Sequence, residues 1–146
     1  MRPPIADARV ARIVERFETL SPQALAQLDR LYVSDAFFKD PFNEVRGVPA
    51  IARVFQHMYD TLDAPRFVVH EAVAQGDQCF LTWDFLFAMR SAPSVEQCVR
   101  GASHLRLAAD GRIEMHRDYW DAAEELYEKI ALLGPLMRWL KRRVAA

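Results

Sequence analysis

Glu114, His116, Asp118 and Trp120 alternate along a stretch of period two, so one strand face gathers two carboxylates, an imidazole and an indole, while Met115, Arg117 and Tyr119 take the other. A histidine set beside carboxylates is held in one orientation and suits general acid or base work. Proton transfer is the natural chemistry of such a set. The other reading of the same residues is a satisfied buried pair, His116 with Asp118, that supports the sheet; a one-residue slip would instead turn the whole row to solvent. A second carboxylate, Asp40, stands before Pro41 in SDAFFKDPFNEVRG. Proline disfavours helical geometry at Asp40 and cannot donate to a sheet ladder, so a strand must stop there. Asp40 then has two uses: a base at the mouth of a cavity, or a turn residue that accepts nearby amides or pairs with Arg46.

One histidine with three acids could hold a divalent ion, but no close ligand spacing occurs, so no metal is expected. There is no nucleophile elbow, phosphate-binding loop or dinucleotide fingerprint, and no cofactor is indicated. His57, His70 and His104 read as satisfied or solvent-facing. Cys79 and Cys98 lie in sheet-like segments and read as free buried thiols.

These side chains must be positioned by helices that come first and strands that follow. Val10, Ile13, Val14, Phe17 and Leu20 predict an amphipathic helix over residues 5 to 20. Ser21-Pro22 opens a second helix with Leu25, Leu28, Leu31 and Tyr32 as its buried stripe. Gly47 permits a turn, and Pro49 begins a third helix that buries Ile51, Val54, Phe55, Met58, Tyr59 and Leu62. From Pro65 the period changes to two, which predicts strands at about 66 to 75, 78 to 90, 96 to 109 and 112 to 120, joined by turns short enough for antiparallel neighbours. Asp121 opens a last helix, interrupted at Gly134-Pro135. The whole is an α+β chain forming one domain over 1–146, with a core at about 5–120 and a C-terminal helical extension at about 121–146.

The order of elements, together with DAFFKDPFNEVRG, RGASHLRLAADGRI and the closing HRDYW, resembles the nuclear transport factor 2-like superfamily of SnoaL-like cyclases and ketosteroid isomerases. The resemblance implies a cone-shaped, strongly curved antiparallel sheet with the N-terminal helices on its concave face. It places Asp40 where ketosteroid isomerases keep their proton-shuttling base. It turns Glu114, His116, Asp118 and Trp120 into the cone, with Thr82, Asp84 and Leu86 from the second long strand and Ser103 and Leu105 from the third. On this reading Asp40 is the general base, His116 its partner acid or base oriented by Asp118, and Asp84 a neighbour that sets their proton affinity. Phe17, Phe55, Tyr59 and Trp120 would shape a chamber for a small apolar molecule. The oxyanion-hole tyrosine and neutral acid of the steroid isomerases fall at Arg16 and Ser103, and one serine hydroxyl is a poor substitute, so steroid isomerisation is not expected. The same register sends Leu81, Trp83, Phe85 and Phe87 to the outer face, where they would need cover, and predicts a homodimer through the sheet. The function implied is a cofactor-independent isomerase, hydratase or cyclase, or else a non-catalytic ligand-binding module of the same fold.

A hydrophobic fraction of 51% argues against disorder, and a net charge of −1 gives no reason to expect nucleic acid. No apolar run approaches the ~20 residues that span a bilayer, and the charged amphipathic N-terminus does not read as a secretory signal, so the expected compartment is the cytoplasm. The final ten residues, MRWLKRRVAA, carry four bases and no acid, leaving the rest of the chain at −5. Leu132, Leu133, Leu136, Met137, Leu140 and Val144 form an apolar stripe flanked by Trp139. Such a helix either packs on its own domain or a dimer mate, or makes a peripheral contact at the inner face of a membrane.

Overall fold

In the computed structural model, residues 1–125 and 133–145 are described. The first helix, α1, spans Ala8–Glu18 and buries Val10, Ile13, Val14 and Phe17 as one stripe. Asp7 caps it by accepting the Arg9 amide at 2.9 Å. The expected second helix is a 3₁₀ segment, Gln23–Arg30, kinked at Gln27 and burying only Leu28. Ser21 Oγ accepts the Ala24 amide at its start. Tyr32 leaves this segment altogether and opens strand β1, Tyr32–Lys39, where it is fully buried. Helical spacing groups it with Leu28 and Leu31; tertiary burial in the sheet overrides that local pattern.

A short strand β2, Glu44–Arg46, turns back on β1 and has no counterpart among the expected elements. Gly47, at a φ of 92° that other residues rarely adopt, launches α2, Val48–Thr61, with proline in its first turn. The remaining strands are β3, Leu62–Gln75; β4, Gln78–Met89; β5, Ala92–Leu107; and β6, Ile113–Tyr119. β3 starts earlier than expected because it absorbs Pro65 at a register shift between Asp63 and Arg66, the kind of irregularity that tolerates a missing N–H.

The six strands form one curled, unclosed sheet in the order β2-β1-β6-β5-β4-β3. Every pairing is antiparallel except β1 with β6, which run parallel. α1 packs on β3, and α2 packs on β1 and β3. Between helices and sheet lies a core whose largest sealed members include Ile13, Tyr32, Ile51, Leu81, Leu105 and Ile113.

The register of β4 corrects one expectation. Leu81, Trp83 and Phe87 are buried, whereas Thr82 is exposed and Asp84 and Leu86 are only partly covered. The strand's own alternation decides this: its apolar row gains more from burial than its mixed row, and a period of two allows only one row inside. The aromatics that the resemblance sends to the outer face are therefore interior.

Beyond β6, α3 covers Ala122–Glu125 and α4 covers Leu133–Val144. The chain between them, with Leu132, lies outside the described residues, as do the side chains of Leu133 and Met137. Gly134-Pro135, expected to interrupt a helix, sits in the first turn of α4, where a proline lacks no needed N–H.

Candidate functional site

Tyr32 on β1, Trp83 on β4, Ser103 on β5 and His116 and Asp118 on β6 meet in one hydrogen-bonded chain. Trp83 Nε1 lies 2.8 Å from Ser103 Oγ, and Ser103 Oγ lies 2.5 Å from Asp118 Oδ1. His116 Nε2 is 2.7 Å from that same oxygen, and Tyr32 Oη is 2.7 Å from His116 Nδ1. The chemistry of the groups orients every proton. An indole N–H can only donate, so the serine oxygen accepts there and gives its own hydrogen to Asp118. An ionised carboxylate only accepts, so Nε2 carries a proton. With Nε2 as the donor, a neutral ring has Nδ1 as its acceptor, and the Tyr32 hydroxyl then donates to it.

Two donor chains thus converge on Asp118 Oδ1. Oδ2 has no hydrogen-bond partner among the described residues. The carboxylate is 15% exposed and its histidine partner 4%. Around His116 the rings of Phe17 and Phe38 stand edge-on with centroids 5.5 and 4.8 Å away, and Tyr32 stacks at 6.0 Å. Burial, with the Asp118 charge adding to it, holds the Tyr32 hydroxyl well above its ordinary value near 10. Tyr32 therefore stays protonated and satisfies Nδ1, while Asp118 sets the imidazole tautomer; a relay that left a tyrosinate there would be opposed by that burial.

Asp118 lines a cavity of about 370 Å³ walled chiefly by Phe38, Phe55, Phe67, Trp83, Phe85, Phe87 and Trp120. A smaller neighbouring space of about 20 Å³, which shares Phe55, Phe67, Trp83 and Asp118 with it, is lined by Phe17, Ser103 and His116 as well. The aromatic wall is self-supporting: Phe67 stacks on Phe85 at 4.7 Å and stands edge-on to Trp83 at 5.7 Å, while Phe85 stacks on Phe87 at 5.1 Å. α2 closes the opposite side with Val54, Phe55 and Met58.

Asp40 borders the same cavity, but its oxygens are engaged. Oδ1 accepts the amides of Phe42 at 2.8 Å and Asn43 at 2.6 Å, and both oxygens take the Asn43 side-chain amide at 3.1 Å. Asp40 N bonds Asn43 O, so these four residues are the turn of the β1–β2 hairpin. The turn puts Phe42 edge-on against Trp120 at 5.5 Å. Arg46 does not pair with Asp40; it donates to the Asp35 carbonyl and lies over the Phe37 ring.

Of the other expected site residues, Phe17, Phe55, Ser103 and Trp120 line one or both of these neighbouring spaces. Leu105 is sealed in the core opposite His116 and borders neither. Thr82, Asp84 and Leu86 are on the far side of the sheet, where Asp84 pairs with His70 at 2.9 Å. Glu114 is taken off the row by a bulge between β5 and β6 and pairs with Arg106 at 2.9 Å. Tyr59 does not border the cavity; its carbonyl accepts a hydrogen bond from Arg90. Two members of the site, Tyr32 and Trp83, are not among the residues expected there. For Trp83 the signal is present in the apolar alternation of its own strand. Among the described residues no group of three or more His, Cys, Asp or Glu is poised to hold a metal ion.

A family model for the SnoaL-like domain matches residues 12–116, from α1 to His116 itself. The chain belongs to the SnoaL-like domain family. Solved structures agree on the fold. TsrD from Streptomyces laurentii superposes with a TM-score of 0.71 at 17% identity, covering 89% of this chain and all of that one. A protein of ketosteroid isomerase-like fold from Catenulispora acidiphila, in complex with trimethylamine, gives 0.69 at 18% identity over 86% and 92% of the two chains. An epoxide hydrolase from M. tuberculosis gives 0.65 at 16% identity over 91% and 93%. Among curated proteins none matches. At these identities the likeness fixes the fold of this SnoaL-like protein, and its chemistry must be argued from its own residues.

Proposed function

We propose that this SnoaL-like protein carries out cofactor-independent proton transfer on a small, largely apolar molecule, as an isomerase, hydratase or cyclase, with Asp118 as the proton acceptor and donor. One observation carries the reading: in an aromatic-walled cavity of about 370 Å³, a carboxylate has one oxygen fixed by Ser103 and His116 and the other unpartnered among the described residues. A proton leaving a substrate carbon or a substrate-bound water passes to Oδ2 and is returned to a different atom of the same molecule. Ser103 and His116 keep the carboxylate oriented throughout, so little reorganisation accompanies the charge change. Ser103, already committed to Asp118, is not available as an oxyanion donor, which argues against the steroid isomerase reaction. Asp40, saturated by its turn, shapes the cavity mouth.

Solvent deuterium incorporation tests this even though the natural substrate is unidentified. A panel of enolisable cyclic ketones and enones in D₂O is followed by NMR. The wild-type protein is expected to label at least one of them, with Asp118→Asn slower by at least about a hundredfold, as for removal of a general base. Saturable binding of those compounds with no labelling would leave a ligand-binding module instead.

We further propose a homodimer through the outer sheet face. Its support is the exposed apolar pair Val73 and Phe80, directly opposite each other on β3 and β4, with His104 stacked on Phe80 at 4.5 Å and Tyr119 exposed on the same face. Light scattering after size exclusion should return twice the chain mass, and Phe80→Glu should return the monomer; a monomeric wild type would end the proposal.

A further inference from the structure

We infer that α4 is an amphipathic anchor that seats the protein on a bilayer of anionic phospholipid. This rests on the C-terminal helix alone and stands or falls independently of the chemistry in the cavity. Leu136, Leu140 and Val144 recur at four-residue spacing and so share one stripe of α4. That stripe is substantially open: the three side chains are 50%, 40% and 84% exposed, and Trp139 beside them is 45% exposed.

The charges on the same helix select the kind of surface that would cover this stripe. Leu133–Val144 contains Arg138, Lys141, Arg142 and Arg143 and no acid. Helical spacing puts Arg138 and Arg142 opposite the leucines and Lys141 at the flank of the stripe, and Arg143 lies over the Trp139 ring at 4.9 Å. A hydrophobic groove on another protein would need the leucines but would give no reason for four bases without a single acid. An anionic bilayer takes both. The leucines and valine enter the acyl boundary, Trp139 sits at headgroup depth, and the long basic side chains reach outward to phosphates. Twelve residues make a helix of about 18 Å, too short to span and suited to lie flat. The ion pair between Lys141 and Glu124, 3.7 Å long and largely exposed, is weak enough to yield to lipid.

The test is co-sedimentation of the full chain with vesicles of phosphatidylcholine containing about a third phosphatidylglycerol, against phosphatidylcholine alone. Expected is binding to the mixed vesicles only, reversed by salt near 0.5 M as screening shortens the reach of the charges to about 4 Å. Arg142→Glu/Arg143→Glu should reduce partitioning by at least about fivefold for each base lost, and Leu136→Ser/Leu140→Ser should abolish it. All four side chains are exposed, so both variants should keep the wild-type thermal midpoint. A full chain that stays in the supernatant, or variants that bind as well as wild type, would overturn the inference. So would a wild type that self-associates through α4, shown by Leu136→Ser/Leu140→Ser becoming monomeric while wild type ignores lipid.

Discussion

Tyr32 donates to the ring of His116 from a position sealed from solvent, so its hydroxyl has a single task, and a change at that one atom can be read cleanly. Tyr32→Phe removes the donor and keeps the ring. Nδ1 is left as an unsatisfied acceptor in an apolar cage, which should cost about 1–3 kcal/mol in denaturant unfolding. With Asp118 still accepting from Nε2, the ring ¹⁵N shifts of this variant should keep the pattern of the Nε2–H tautomer. Shifts showing a proton on Nδ1 instead would mean that Tyr32 takes part in setting the tautomer. At Asp40 the expectation is different in kind. Its carboxylate closes a hairpin, so Asp40→Ala should cost about 1 kcal/mol while Asp40→Asn, which keeps an acceptor for the amides of Phe42 and Asn43, should cost clearly less. Deuterium labelling that vanished in Asp40→Asn but survived in Asp118→Asn would transfer the base role from Asp118 to Asp40.

Among the elements, β4 and β5 carry the most instructive fit. Gly101 pairs directly with Trp83, and the indole lies flat on the space a side chain would need. A Cβ at Gly101 would stand under 3 Å from Cη2, Cζ2 and Cζ3 of Trp83, closer than real Cβ atoms come to anything. Trp83 is buried and its Nε1 holds Ser103, so the ring cannot yield without pulling on the donor chain to Asp118. Gly101→Ala should therefore destabilise by about 1–3 kcal/mol, as overpacking does, and also slow any reaction that depends on Asp118. Full stability would mean that the indole has room to move. The same pair shows what is legible in the sequence. The apolar alternation Leu81, Trp83, Phe85, Phe87 points inward, and it is the resemblance to ketosteroid isomerases that turns it out. On β6 the alternation of His116, Asp118 and Trp120 is sound, yet Glu114 leaves the row because a bulge adds a residue to one strand without disturbing the sequence pattern. Period alone cannot reveal such a step.

For the whole molecule, the change from helical to alternating spacing near Pro65 is enough to read an α+β fold, but the parallel contact of β1 with β6 joins segments some eighty residues apart and has no local signature. That contact is what brings Tyr32 to His116, which is why the site is half visible in the sequence. Its global consequence is a chain whose interior holds neutral acids. Burial pushes the Tyr32 hydroxyl well up, raises Tyr59, and lifts the Cys79 thiol from 9.0 to about 11, with the nearby Asp7 carboxylate adding and Arg9 opposing. Each group is more readily ionised in the unfolded chain than in the folded one. The stability they contribute is thus intact below about pH 9, where both states are protonated, and is lost above it, first as the unfolded thiol ionises and from about pH 10 as the unfolded tyrosines do, until each group's raised folded value is passed. At the acid end the sign reverses. Asp7, held near 2 chiefly by its bond to the Arg9 side chain, contributes stability above about pH 4 that disappears as pH falls through 2. Denaturant unfolding at stepped pH should show a plateau from about 5 to 9 with a decline on either side. Cys79→Ala should move the onset of the alkaline decline from about pH 9 towards pH 10 and make it shallower up to about 11, leaving the share that belongs to Tyr32 and Tyr59. An unchanged alkaline limb would show that the thiol ionises as freely in the folded chain as in the unfolded one.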